Sequence, residues 1–193
     1  MDHAHHDHSA HHHHESSPNK MAASATLHCL TGCAIGEVSG LVIGSLIGLT
    51  PLATTALAIA LAFVSGYTLS TLPLVKSGMK FLSALSIVFA ADTLSIATME
   101  VVDNLVMWII PGAMDASLIH PLFWISMPVA LAVAYMAAYP VNRYLLSKGK
   151  GHALTMKHVD HNAHGDIKPL VYGLAGLFIG GLLVSIAAMA IIQ

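Results

Sequence analysis

The residues best equipped for chemistry fall into three groups. His28, Cys29, Cys33 and Glu37 lie in one short apolar stretch, and the last three recur every four residues, so they share one face of a helix. Thiolates are soft metal ligands, and a carboxylate in apolar surroundings is costly enough to face inward toward a partner. Asp92, Met99, Glu100 and Asp103 lie in a second apolar stretch. By helical angle Asp92, Met99 and Asp103 share a face, with Glu100 and Met107 on its flank. The third group is histidine: His3, His5, His6, His8, His11, His12, His13 and His14 near the N-terminus, then His152, His158, His161 and His164 further on. Imidazole binds zinc, nickel, cobalt and copper, and the interspersed Asp2, Asp7, Glu15, Asp160 and Asp166 add harder oxygen ligands.

Each group has a plainer reading. Buried cysteine is a common small core residue. Intramembrane acids also serve, when protonated, as hydrogen-bond donors to Ser or Asn, and a histidine-bearing loop also reads as solvated and polar. A purification tag is an uninterrupted run, whereas this N-terminal tract is mixed with Asp, Ala and Ser, which favours a native metal-binding tail. Such a tail is expected to be disordered, because it buries no apolar area.

The elements that position these groups follow from hydropathy. Of 193 residues, 55% are hydrophobic and 9% charged, against about 25% charged in a soluble domain. Apolar runs span about 27–49, 51–72, 81–110, 119–144 and 169–192. Each exceeds the roughly 10 residues of a membrane β-strand and suits a hydrocarbon core of ~30 Å. The fold class is therefore all-α, a polytopic membrane bundle of five transmembrane helices, preceded by a histidine-rich tail over 1–26 and interrupted by a histidine-containing loop over 145–168. No basic segment followed by an apolar one opens the chain, so the first span reads as a retained anchor. Eight Lys and Arg residues are too few and scattered for a phosphate footprint, which argues against nucleic acid.

Charge then orients the bundle. Lys20, Lys76, Lys80, Arg143, Lys148, Lys150, Lys157 and Lys168 all fall on one side of a five-span arrangement. The other side holds the Thr50 turn, the 111–118 loop and Gln193, with no cation. The positive-inside rule puts the N-terminus in the cytosol and the C-terminus outside, in the cytoplasmic membrane of a cell. Every histidine except His120 is then cytosolic. His120, alone at a helix start, reads as a satisfied interfacial residue. Cys29 and Cys33 lie near the reducing side, which disfavours a structural disulfide.

Gly32, Gly36, Gly40, Gly44 and Gly48 form a stripe at four-residue spacing along span one. It permits close helix approach and sets span one at the bundle centre. Gly173, Gly176 and Gly180 suggest a shorter surface of the same kind on span five. Glu37 lies ~15 Å along the helix from Leu27, and Asp92 ~16 Å from Phe81, at 1.5 Å per residue. Equal depth predicts that Glu37 and Asp92 face each other at the membrane midplane, sharing a proton or holding a cation.

The segment His28-Cys29-Leu30-Thr31-Gly32-Cys33-Ala34-Ile35-Gly36-Glu37 resembles a bacterial and archaeal membrane family described as a domain of unknown function. Ala91-Asp92-Thr93-Leu94-Ser95-Ile96 and Tyr139-Pro140-Val141-Asn142-Arg143 carry the same resemblance, which spans about 27–151. It implies a multi-span membrane domain and assigns no substrate or catalytic residue.

The leading functional expectation is a membrane protein handling a transition metal (copper, nickel, cobalt or zinc) as a transporter or permease component. Cytosolic histidines would collect or sense the ion. His28, Cys29 and Cys33 would form the inner mouth, Glu37 and Asp92 the midplane site, and Met99, Glu100 and Asp103 the outer half. A second expectation is a non-transporting metalloprotein acting in metalloenzyme assembly or redox chemistry, beside a partner membrane subunit or as a homo-oligomer. A third is proton or cation conduction through the acids alone. With no nucleophile–base arrangement or phosphate loop, an enzyme is not expected.

Overall fold

In a computed structural model the described residues, 18–149 and 168–192, form five helices and no strand. They are α1 (Pro18–Leu46), α2 (Pro51–Lys76), α3 (Phe81–Ile109), α4 (Pro121–Ser147) and α5 (Lys168–Ile192). All five contain a stretch long and apolar enough to cross a membrane. A helix closes its own backbone hydrogen bonds, which lipid cannot do for it. The lipid-side surface is correspondingly apolar, with Leu46, Leu52, Leu82 and Trp108 largely exposed. The histidines of the N-terminal tail (His3, His5, His6, His8 and His11 to His14) and of the later loop (His152, His158, His161, His164) lie outside the described residues.

The helix starts follow local chemistry. Pro51 opens α2, where a missing N–H costs nothing, and Thr50 caps it by accepting a hydrogen bond from the Ala53 amide at 3.4 Å. Pro121 opens α4, capped by His120, whose Nδ1 accepts from the Leu122 amide at 3.2 Å. His120 is thus satisfied as a helix cap.

The first helix departs from expectation. It begins at Pro18, not near Leu27. Proline at the first position and Ala22, Ala23 and Ala25 after it favour helix well before the side chains become strongly apolar. Ala22, Ala25 and Thr26 are already buried there, so the last part of the expected tail belongs to the bundle.

Helix α1 touches every other helix, as the glycine stripe leads one to expect. Its closest partner is α2, and the contact is backbone to backbone. A Cβ placed on Gly36 would stand 2.2 Å from the Ala62 nitrogen, and one on Gly40 would stand 2.3 Å from the Ala58 Cα. Gly32 meets Gly66 and Gly44 meets Thr54, so the two helices run antiparallel in fixed register. Ser65 secures it by donating to the Gly32 carbonyl at 2.6 Å. Gly48 stands apart from the seam. It lies beyond the helix end and turns the chain with φ +69°.

The glycines of α5 behave otherwise. Nothing among the described residues comes within 4 Å of a Cβ on Gly173, Gly176 or Gly180. The close approach is at Gly181, where the Trp124 ring would lie 2.3 Å from an added Cβ. Trp124 is held by an Nε1–H bond to the Leu118 carbonyl at 2.7 Å and by Phe123 and Phe178. A large ring needs a flat surface, and that need selects one glycine rather than the stripe.

Candidate functional site

Helices α1 and α3 run in the same direction, and their polar residues meet in two layers. The first joins Thr26, Cys29, Asp92, Ser95 and Asn142. The Asn142 side-chain amide, from α4, donates to Thr26 Oγ1 and to Ser95 Oγ, both at 2.9 Å. Thr26 passes its own proton to the Ala22 carbonyl at 2.7 Å. Cys29 lies beside Asp92 and Ser95. Asp92 is fully buried, at 0% exposure.

The second layer joins Cys33, Glu37, Glu100 and Asp103. Glu37 stands against both Asp103 and Glu100, and Cys33 against Glu100. The three acids are 4–5% exposed. Neither oxygen of Glu37 or Glu100, nor Oδ1 of Asp103, has a partner in good hydrogen-bond geometry among the described residues, although the Cys33 thiol lies beside Glu100 as a weak donor. The described cations do not reach them either: Lys20, Lys76, Lys80, Arg143 and Lys148 are all exposed. Carboxylate oxygens turned toward one another repel unless a proton or a cation lies between them.

The expected pairing of Glu37 with Asp92 is therefore corrected. Counted from the true starts, Pro18 and Phe81, Cys29 and Asp92 both fall roughly 16 Å along their axes, and Glu37 and Glu100 both roughly 28 Å. The early start of α1 shifts its register against α3, which gives Asp92 the cysteine and Glu37 the acids. In helices of 29 residues the acid layer also lies past the halfway point, toward the end without lysines.

A cavity of about 60 Å³ opens from the acid layer toward that end. Glu37 and Asp103 line its floor, Met107 and Met127 its walls, and residues of the α3–α4 connection its rim. That volume accommodates water or a bare ion.

The other expected site residues are placed as follows. Met99 is buried in the same apolar core as Cys29 and Cys33, and His28 is half-buried on α1. Among the described residues, no three His, Cys, Asp or Glu side chains are disposed to hold a metal ion. Asn142, Thr26 and Ser95 are the polar residues that residue-type reasoning passed over as ligands. An amide in the apolar run of α4 was the available signal for the first of them.

An all-helical bundle with five membrane-length helices and a polar seam between two of them defines a multi-pass membrane protein. The chain belongs to the family described as Domain of unknown function (DUF4396), which matches residues 19–151. The match begins at the true start of α1 and ends just beyond α4, so it takes in both polar layers. No curated protein and no solved structure matches the chain.

Proposed function

We propose that this protein moves protons, or a cation passed on without a closed set of ligands, along the α1–α3 seam by way of Glu37, Glu100 and Asp103. The observation that carries the reading is the acid layer: buried carboxyl groups face one another with the neutral Cys33 thiol beside Glu100, and the cations whose side chains are described are all exposed. Such an arrangement is expensive in a membrane and is met where ions or protons move. The cavity would be the exit on one side. The layer of Cys29, Asp92 and Asn142 would be the next halt on the other.

The test is flux in liposomes holding the full chain, followed with an internal proton dye and with internal metal indicators. Glu37→Gln and Asp103→Asn should each lower flux at least about tenfold, the effect of about 1.4 kcal/mol. Flux unchanged in both variants overturns the reading.

A transition metal as the cation is a second reading; it requires the acid layer to close up on the ion, since no three of its side chains are disposed to hold one as described, and one observation supports it. Cys33 touches the acid layer, and the thioethers of Met107 and Met127 line the cavity. Sulfur selects copper(I) and other soft or borderline ions over alkali metals. On this reading the protein lies in the cytoplasmic membrane, with its histidine-rich segments gathering the ion in the cytosol. Cys33→Ser should then abolish metal flux and spare proton flux. Tight metal binding without flux would instead fit a delivery or assembly role beside a partner subunit.

A further inference from the structure

Outside the α1–α3 seam, a second concavity lies on the lipid-facing side between α2 and α3. It measures about 300 Å³ and is lined by Val64, Tyr67, Thr71, Leu72, Val75 and Phe81, among others. Almost all of its wall is hydrocarbon or ring. Thr68 and Thr71 also line it, but the Thr68 hydroxyl is turned back to the Val64 carbonyl and the Thr71 hydroxyl is buried beneath the surface, so neither interrupts the apolar wall.

The mouth of the groove is basic. Val75 and Phe81 line it, and their chain neighbours Lys76 and Lys80 close α2 and precede α3 with exposed side chains. No side chain caps the start of α3, and its first turn holds no acid. Its first amides therefore face outward beside two lysines, a combination that suits an anion.

We propose that this groove is a specific site for an anionic phospholipid. Its phosphate would rest between Lys76, Lys80 and the first turn of α3, and one acyl chain would lie between Leu72 and Phe81. The site stands apart from the acid layer and does not depend on which cation that layer takes.

The experiment is native mass spectrometry of the full chain released from vesicles of phosphatidylglycerol and phosphatidylcholine in equal amounts. One phosphatidylglycerol should stay bound under activation that strips phosphatidylcholine. Lys76→Gln with Lys80→Gln should weaken its retention roughly thirtyfold, since each cation near an anionic surface contributes about a kcal/mol. Arg143→Gln with Lys148→Gln, at another helix end, should change nothing. Equal retention of the two lipids by the native chain overturns the proposal. So does undiminished phosphatidylglycerol binding in the double lysine variant, both residues being exposed and without a folding role.

Discussion

Asn142 shows how one side chain can tie a membrane bundle together. Its amide reaches α1 through Thr26 and α3 through Ser95 from its place on α4, and inside lipid no water replaces a lost donor. Asn142→Leu should lower stability by about 1–2 kcal/mol, the range of interhelical hydrogen bonds in membranes. Thermal unfolding in detergent reads this directly, and an unchanged midpoint would mean that the three helices are held by packing alone. Glu37→Gln makes the opposite prediction. Its carboxyl faces acceptors rather than donors, so an amide there supplies the missing N–H. The variant should melt no lower than the native protein even as flux is lost. Stability and transport should therefore separate at Glu37 and not at Asn142.

At the scale of the helix, the decisive quantity is the distance between backbones. Gly36→Val would force side-chain atoms into the space of the Ala62 nitrogen, 2.2 Å from the new Cβ. Parting α1 from α2 should cost at least about 1–3 kcal/mol. Gly176→Ala meets open space and should stay within about 0.5 kcal/mol. Chemical denaturation of the two variants side by side checks the contrast, and equal sensitivity would mean that α5 packs where no contact is described. The same helices show what could be read from the chain and what could not. Pro51 and Pro121 opened their helices as proline should, and the α1 glycines announced a close partner. The start of α1 was hidden, because Met21-Ala22-Ala23-Ser24-Ala25-Thr26 is too mildly apolar to register as membrane. Hydropathy marks where lipid begins, whereas helix propensity and a proline mark where the helix begins. That difference misplaced Glu37 against α3 and paired it with the wrong acid. The acids themselves needed no structure to be singled out, since three in one apolar run have few uses. Their mutual approach needed one.

For the whole molecule, the described lysines and Arg143 gather where α1 starts, where α2 turns into α3, where α4 ends and where α5 begins. By the positive-inside rule that end is expected to face the cytosol. Reporter fusions should read cytosolic at the N-terminus and external at the C-terminus, and both ends in one compartment would refute the arrangement. The contact between α1 and α2 bears on how such a bundle would work. Two helices whose main chains touch at Gly32, Gly36 and Gly40, with Gly44 against the Thr54 side chain, resist sliding or rolling, so on the proposed reading the hairpin would be the stator. The polar seam has that hairpin on one side, and α3 with its partner α4 on the other. If the seam opens and closes, the rotor is α3–α4, turning about a fixed mast. A cross-link joining α1 to α2 should leave flux intact, while one joining α1 to α3 should lock it.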